Sequence, residues 1–319
     1  MNEHFIRRDR CPACGAGEHV ELYRCAYTSP PISAFLVRTY GRAGHIDLEY
    51  LQGADYALRE CGACGLIFQH EVPNDHLMRI LYEEWVSAEF SLHKRARNAA
   101  AVRGRIALEI MAIADLLQRP PESLRVLDFG MGWGDWCRMA QAFGCEAFGV
   151  ETASSRIEHA RKLNVPVLAP GDLPPASFDV VNSDQVLEHL AEPYGAVAVV
   201  AEALRPHGLL KISVPNGRRV KRRLRRPDFS APKGSRRSLH DVSPLQHVNC
   251  FQHASLVRLV ERAGLRRIPF PATLRYRYAP TWERPANLLR RTVGQHVRAS
   301  LRQETVVWFR KSGTLTSTG

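Results

Sequence analysis

Residues 128–134 read Asp-Phe-Gly-Met-Gly-Trp-Gly, a carboxylate followed by three glycines at alternate positions. Glycine lets a backbone turn tightly and lets a ligand approach with no Cβ in the way, so such a run between a strand and a helix is a candidate ligand cradle. The spacing narrows the ligand. A dinucleotide fingerprint, G-x-G-x-x-G counted from Gly130, needs glycine at position 135, and that residue is Asp135. Asp128, two places before the first glycine, also fits poorly beside a pyrophosphate. Further on, Gly149-Val150 ends in Glu151, whose carboxylate can accept both hydroxyls of a ribose. Charge-assisted bonds of this kind are about twice as strong as neutral ones.

Four of the eight cysteines form two pairs, Cys11-Pro-Ala-Cys14-Gly15 and Cys61-Gly-Ala-Cys64-Gly65. A two-residue spacing brings both thiolates of a pair to one ion, and four thiolates make a closed structural zinc site with Zn–S bonds of about 2.3 Å. The gap between the pairs exceeds the roughly 15 to 20 residues of simple ribbons and leaves room for an inserted loop. A redox role is the other reading, although neither pair opens a helix in a strand-helix-strand setting. Cys25, Cys137, Cys145 and Cys250 are scattered. This usage fits a reducing compartment, and the absence of an apolar leader or spanning segment leads us to expect a cytoplasmic protein.

The motif DFGMGWG resembles the first motif of the class I S-adenosylmethionine-dependent methyltransferases, acidic-x-Gly-x-Gly-x-Gly. The resemblance implies that Gly130, Met131, Gly132 and Gly134 wrap the methionine part of S-adenosylmethionine, with Asp128 near its ammonium or the loop that holds it. It implies that Glu151, followed by Thr152, takes the ribose, and that Asp172 and Leu173 form the adenine turn, although the segment after them is shorter than usual in the family. Asn182-Ser183-Asp184-Gln185-Val186-Leu187-Glu188-His189-Leu190 resembles the family's LEHL signature, placing Ser183 at the cofactor and Glu188 and His189 at the active-site rim. Two readings of that pair stay open. His189 faces the acceptor as a general base, which its ordinary pKa near neutrality suits, or the pair caps and packs beneath the cofactor. The resemblance extends over about residues 95 to 275, and a cysteine module joined to such a domain is similar to zinc-containing methyltransferases of sugar and natural-product biosynthesis. Their long C-terminal domain has no obvious counterpart here, so sugar C-methylation does not carry over.

The formal charge is +12, and ten of the positive side chains lie between Arg218 and Arg237 against the single Asp228. This stretch reads as a loop at the carboxyl edge of the sheet. It is either a solvated face or a site for a phosphate-bearing small molecule, for RNA or for an anionic membrane. Phe229 is its only aromatic, which argues against stacking on single-stranded RNA. His240 and His247 flank the approach and are further candidates for acceptor contact. The acceptor expected is a small, anionic or sugar-like metabolite; the alternative is a methyltransferase-like binder of RNA or ribosome, and the oligomeric state is not legible.

These groups need a frame to hold them. The chain is 45% apolar over 319 residues, enough for one large domain and a small one. Short apolar runs at 125–129, 147–150, 165–168, 178–182 and 209–214 alternate with helical periodicity at 154–163, 185–189 and 195–204. That alternation predicts a Rossmann-like α/β sheet, mostly parallel, with helices on both faces. Before it, Ala100, Ile106, Ile110, Ile113 and Leu117 form a helical stripe ended by Pro120 and Pro121. After it come a helix at 254–263 and strands at 267–274 and 305–310. The expected organisation is a small zinc-ribbon-like module at 1–75 with strands at 19–23, 57–60 and 66–68, helices at 76–120, and the methyltransferase domain at 121–312. That domain carries the basic loop 216–240 and a helical insert at 281–301, and a disordered tail follows at 313–319.

Overall fold

A strand covered on both faces has no solvent side, so its apolar residues do not simply alternate with polar ones, and the polar residues it does carry are buried too. Arg125–Phe129 buries its last four residues and Phe178–Asp184 its first six. In the computed structural model, which describes residues 2–41, 46–86, 99–278 and 304–313, the chain divides into two compact units that interleave along the sequence. One comprises 1–96, 185–198 and 214–264; the other comprises 97–184, 199–213 and 265–319.

The second of these units contains a seven-stranded sheet. Its strand order is Leu265–Ile268, Glu304–Lys311, Leu204–Pro215, Phe178–Asp184, Arg125–Phe129, Glu146–Val150 and Val167–Leu168. The four pairings from Leu204–Pro215 to Val167–Leu168 are parallel, and the pairing of Leu265–Ile268 with Glu304–Lys311 is antiparallel. From Arg125–Phe129 the chain winds outward through Glu146–Val150 and Val167–Leu168, then returns to build the other half from Phe178–Asp184. Strand order therefore reverses between Arg125–Phe129 and Phe178–Asp184, and in open α/β sheets ligands bind outside the carboxyl ends at such a point. The helices Ala99–Leu117, Asp135–Ala142 and Ser154–Lys162 supply Ile106, Ile110, Ile113, Trp136, Cys137, Ala140 and Ala160 to the core around Val126, Ala147 and Val180. Ala100 is exposed, so the stripe that faces the core starts at Val102, half-buried against it, and is buried from Ile106 on.

The first unit is built on an antiparallel sheet ordered Asn249–Cys250, Ile67–Gln69, Asp55–Cys61 and His19–Ala26, beside the pair Phe5–Arg7 and Glu71–Pro73. The core of this unit joins Tyr27, Phe35, Leu36 and Tyr56 to Val220, Leu224, Phe229 and Leu239 from the basic stretch. Its compact boundary therefore differs from the break at residue 75 read along the chain. Ile32–Tyr40 is a helix inside the segment expected to hold only strands and loops.

Three expectations are corrected. The basic stretch is not a plain loop: it forms short helices at Gly217–Arg219 and Val220–Leu224 because Val220 and Leu224 have a core to enter. Residues 185–189 form a turn rather than a helix, and Gln185 leaves the strand with φ 57°, outside helical space. The run expected as a strand to Leu274 ends at Ile268 and is followed by the helix Ala272–Arg277. The helical insert at 281–301 and the tail beyond 313 lie outside the described residues. No helix among the described residues is long and apolar enough to cross a membrane.

Candidate functional site

At the carboxyl end of Arg125–Phe129 the three glycines all adopt positive φ, 80° at Gly130, 56° at Gly132 and 76° at Gly134, a geometry that side chains with a Cβ strain to reach. The amides of Gly130 and Met131 both donate to the Val150 carbonyl at 2.9 Å, tying the loop to the end of the neighbouring strand. A Cβ on Gly132 would meet nothing within 4 Å, so this face of the loop is open to a ligand. Gly149 has the opposite role: a Cβ there would lie 2.0 Å from the Met131 sulfur, so its absence lets the loop fold onto the strand.

Asp128 is buried beneath this loop, register partner of Asn182 on the adjacent strand, and Asn182 Nδ2 donates to its Oδ1 at 2.7 Å. Burial pushes the Asp128 carboxyl up to about 7 against the pull of the Asn182 bond, and the nearby Asp184 adds to the rise. Lys211 pairs in register with Asn182, is buried, and reaches both Glu109 carboxylate oxygens at 2.8 Å. Burial alone would lower the Lys211 pKa, yet Glu109 and Asp184 raise it, so it stays charged. Asn182 Oδ1 and Ser183 Oγ are buried with no hydrogen-bond partner among the described residues. Buried polar atoms of this kind are rare, and each marks a place where a partner is expected.

Glu151 lies at the end of Glu146–Val150. One oxygen accepts from the amides of Thr152 and Ala153 at 2.9 and 3.0 Å, and the other lies 3.3 Å from Arg156. The carboxylate is thereby fixed in direction while keeping acceptor capacity. Thr152 and Asp172 are exposed, Leu173 is half-buried, and Asp172 closes the turn Pro170–Asp172. Glycine loop, Asp128, Ser183, Glu151 and Asp172 all belong to one unit and all stand at or just beyond strand ends. The donor set suits S-adenosylmethionine: an open cradle, a ribose-type carboxylate, a buried acid for positive charge and orphaned buried oxygens. Asn182, Lys211 and Glu109 were missed from the sequence, where they read as ordinary strand and helix positions.

Glu188 and His189 belong to the other unit. Glu188 is buried, and His189 Nε2 lies 3.8 Å from its Oε1. His189 Nδ1 is 2.8 Å from the Gln246 carbonyl and 3.2 Å from the Tyr82 hydroxyl. A carbonyl only accepts, so Nδ1 carries a hydrogen, and Nε2 faces the Glu188 side. The His247 ring lies 4.9 Å from His189 and 5.6 Å from His240. Burial holds His247 well below the ordinary histidine range, with His189, His240 and Lys233 acting in the same direction. Glu188, His189 and His247 present their ligand-type atoms within 4.8 Å of one another. Chemically this is an imidazole beside a buried carboxylate that can stabilise its protonated form. Tyr82 and Gln246, which orient it, gave no signal in the sequence.

The four cysteines meet as the spacing required. Cys11 and Cys64 sulfurs are 3.5 Å apart, as are those of Cys14 and Cys61, and all four lie within 4.8 Å of one another. Tetrahedral thiolates on zinc are about 3.8 Å apart. Each pair closes the same knuckle: Gly15 donates to the Cys11 carbonyl at 2.8 Å and Gly65 to the Cys61 carbonyl at 3.0 Å. Both glycines have positive φ, 78° and 73°. The residues fit a zinc ion held by four thiolates.

Compared with known proteins, residues 97–268 match a family described as a methyltransferase domain. The chain is 34% identical over 108 residues to a ubiquinone biosynthesis O-methyltransferase of Mesorhizobium japonicum, covering 31% of this chain and 43% of that protein. It is 28% identical over 155 residues to the protein of that name from Bartonella tribocorum, covering 44% of this chain and 62% of that one. Among solved structures, magnesium protoporphyrin IX methyltransferase from Synechocystis PCC 6803 aligns with a TM-score of 0.47 at 11% identity, over 75% of this chain and 100% of that one. The chain thus spans less than two thirds of the length of these curated relatives.

Proposed function

Since the chain belongs to the class I S-adenosylmethionine-dependent methyltransferases, we propose that it methylates an oxygen of a small acceptor, with His189 removing the acceptor's proton. S-adenosylmethionine, when bound, supplies a methyl group activated by positively charged sulfur. Gly130, Met131, Gly132 and Gly134 cradle it, Glu151 with Thr152 takes the ribose, Asp172 and Leu173 border the adenine, and Ser183 and Asp128 complete the site. The observation that carries the acceptor side is the His189 geometry: Nδ1 fixed as a donor by the Gln246 carbonyl, and Nε2 3.8 Å from buried Glu188, which can stabilise the imidazolium formed when a proton is taken up. An acceptor hydroxyl needs a base as its oxygen attacks, whereas a thioether or tertiary amine needs none. The names of the curated relatives, both O-methyltransferases, point the same way. The chain's formal charge of +12 favours an anionic acceptor.

A structural zinc ion held by Cys11, Cys14, Cys61 and Cys64 belongs to the same proposal, on the strength of the sulfur geometry. The RNA-directed alternative loses support, because Phe229, the one aromatic of the basic stretch, is buried in the core.

The test is transfer of a labelled methyl from S-adenosylmethionine to a panel of phenols and hydroxylated sugars and acids, each with an amine counterpart. Transfer to a hydroxyl that falls about 100-fold or more in His189→Ala, with cofactor affinity retained, supports the reading. Equal turnover by His189→Ala, or transfer confined to amines, refutes it.

A further inference from the structure

Arg8 sits in the charged run Arg7-Arg8-Asp9-Arg10, where nothing in the sequence sets it apart from a surface cation. In the folded chain it is only 5% exposed, and its guanidinium makes five hydrogen bonds. Nε and Nη2 donate to the Gln69 carbonyl at 3.0 and 2.7 Å, and Nη2 also donates to the Val248 carbonyl at 2.7 Å. Nη1 donates to the Ala191 carbonyl at 3.1 Å and to Asn249 Oδ1 at 2.8 Å. A guanidinium has five N–H donors in a fixed planar fork, so every one is engaged.

Asn249 is fully buried and completes the arrangement. Its Nδ2 donates to the carbonyls of Leu187 and Leu190 at 2.9 and 2.7 Å, and its amide donates to the Glu188 carbonyl at 3.0 Å. The carbonyls of Leu187, Glu188, Leu190 and Ala191 are thus all taken up by two buried side chains and one amide. These are the residues on either side of His189. The segment that supplies Asn249 also supplies the Gln246 carbonyl that fixes His189 Nδ1. Both stretches carry backbone strain: Gln185 has φ 57° and Leu245 φ 67°. Non-glycine residues in this region persist only where their surroundings over-determine them.

We propose that Arg8 and Asn249 form a clamp that positions the Glu188–His189 turn, setting the tautomer and aim of the His189 imidazole. The inference rests on the reading of His189 as the base. Neither residue touches the acceptor; they act through the turn. Lysine cannot replace Arg8, because an ammonium has three donors and no planar fork to span four acceptors. Aspartate in place of Asn249 keeps the shape and the acceptor facing Arg8 but sets a carboxylate oxygen against the Leu187 and Leu190 carbonyls. A base misplaced by about 1 Å loses on the order of 100-fold in rate.

The test reads the imidazole directly and needs no acceptor. Long-range nitrogen-edited spectra of the full-length, zinc-loaded protein, with His189 assigned by its loss in His189→Gln, should show protonated Nδ1 and unprotonated Nε2. Arg8→Lys and Asn249→Asp should shift that signal to a mixture of tautomers while the knuckle cysteines keep their metal. For variants that do not fold, hydrogen exchange of the unaltered protein serves: the Asn249 amide should be protected as strongly as the strand Asp55–Cys61. A folded Asn249→Asp with the His189 signature unchanged, or an Asn249 amide exchanging at the rate of an exposed loop, overturns the clamp. Loss of the tautomer signature together with full methyl transfer overturns instead the role of His189 as base.

Discussion

Asp128 should govern a trade between stability and cofactor affinity. Its carboxyl is raised from 3.8 to about 7 by burial under the glycine loop. The folded chain therefore holds this proton over a range in which the unfolded chain has released it. The stabilisation associated with the proton is complete below about pH 4 and is lost as pH rises through about 7. A shift of about three units corresponds to about 4 kcal/mol at full ionisation. Asp128→Asn keeps a carbonyl oxygen for Asn182 Nδ2 and cannot ionise. Urea-unfolding midpoints measured from pH 4 to pH 9 should then diverge: parity with wild type near pH 4, and a more stable variant, by up to about 4 kcal/mol, at pH 8. Calorimetric titration with S-adenosylmethionine should move the other way, since the variant has no charge to set against the cofactor's positive groups. A variant no more stable than wild type at pH 8 would refute the burial argument. Unchanged cofactor affinity would remove Asp128 from the site.

Glu151→Ala should cost about 1 to 3 kcal/mol of cofactor affinity, as for loss of a charge-assisted bond pair, and an unchanged affinity would sink the ribose assignment. Purified protein should contain one zinc ion per chain, and Cys61→Ser should release it and lower the urea midpoint of the unit built around residues 1–96; full metal retention would rule out the four-thiolate site. Gly149→Ala sets a methyl group 2.0 Å from the Met131 sulfur. It should destabilise the chain by about 1 to 3 kcal/mol and weaken cofactor binding, both visible in a thermal melt with and without the cofactor; a melt matching wild type would mean the loop shifts freely.

Local pattern alone determined much of this protein. The continuous apolar runs located the parallel strands because a strand's burial is written in its own residues, and the DFGMGWG spacing located the cradle because positive φ at three nearby positions demands glycine. The cysteine knuckles were legible for the same reason: two-residue spacing is a local constraint. Tertiary structure decided what those signals could not carry. The basic stretch folds against Tyr23, Phe35 and Tyr56 only because its four apolar side chains meet a core assembled from residues nearly two hundred positions away. The 185–189 segment became a turn because its Leu187 and Glu188 carbonyls are claimed by Asn249 rather than by a helix of its own. Arg8 itself looked like one more surface cation. A buried arginine is defined by the acceptors that surround it, and those come from 69, 191, 248 and 249, which only the fold brings together.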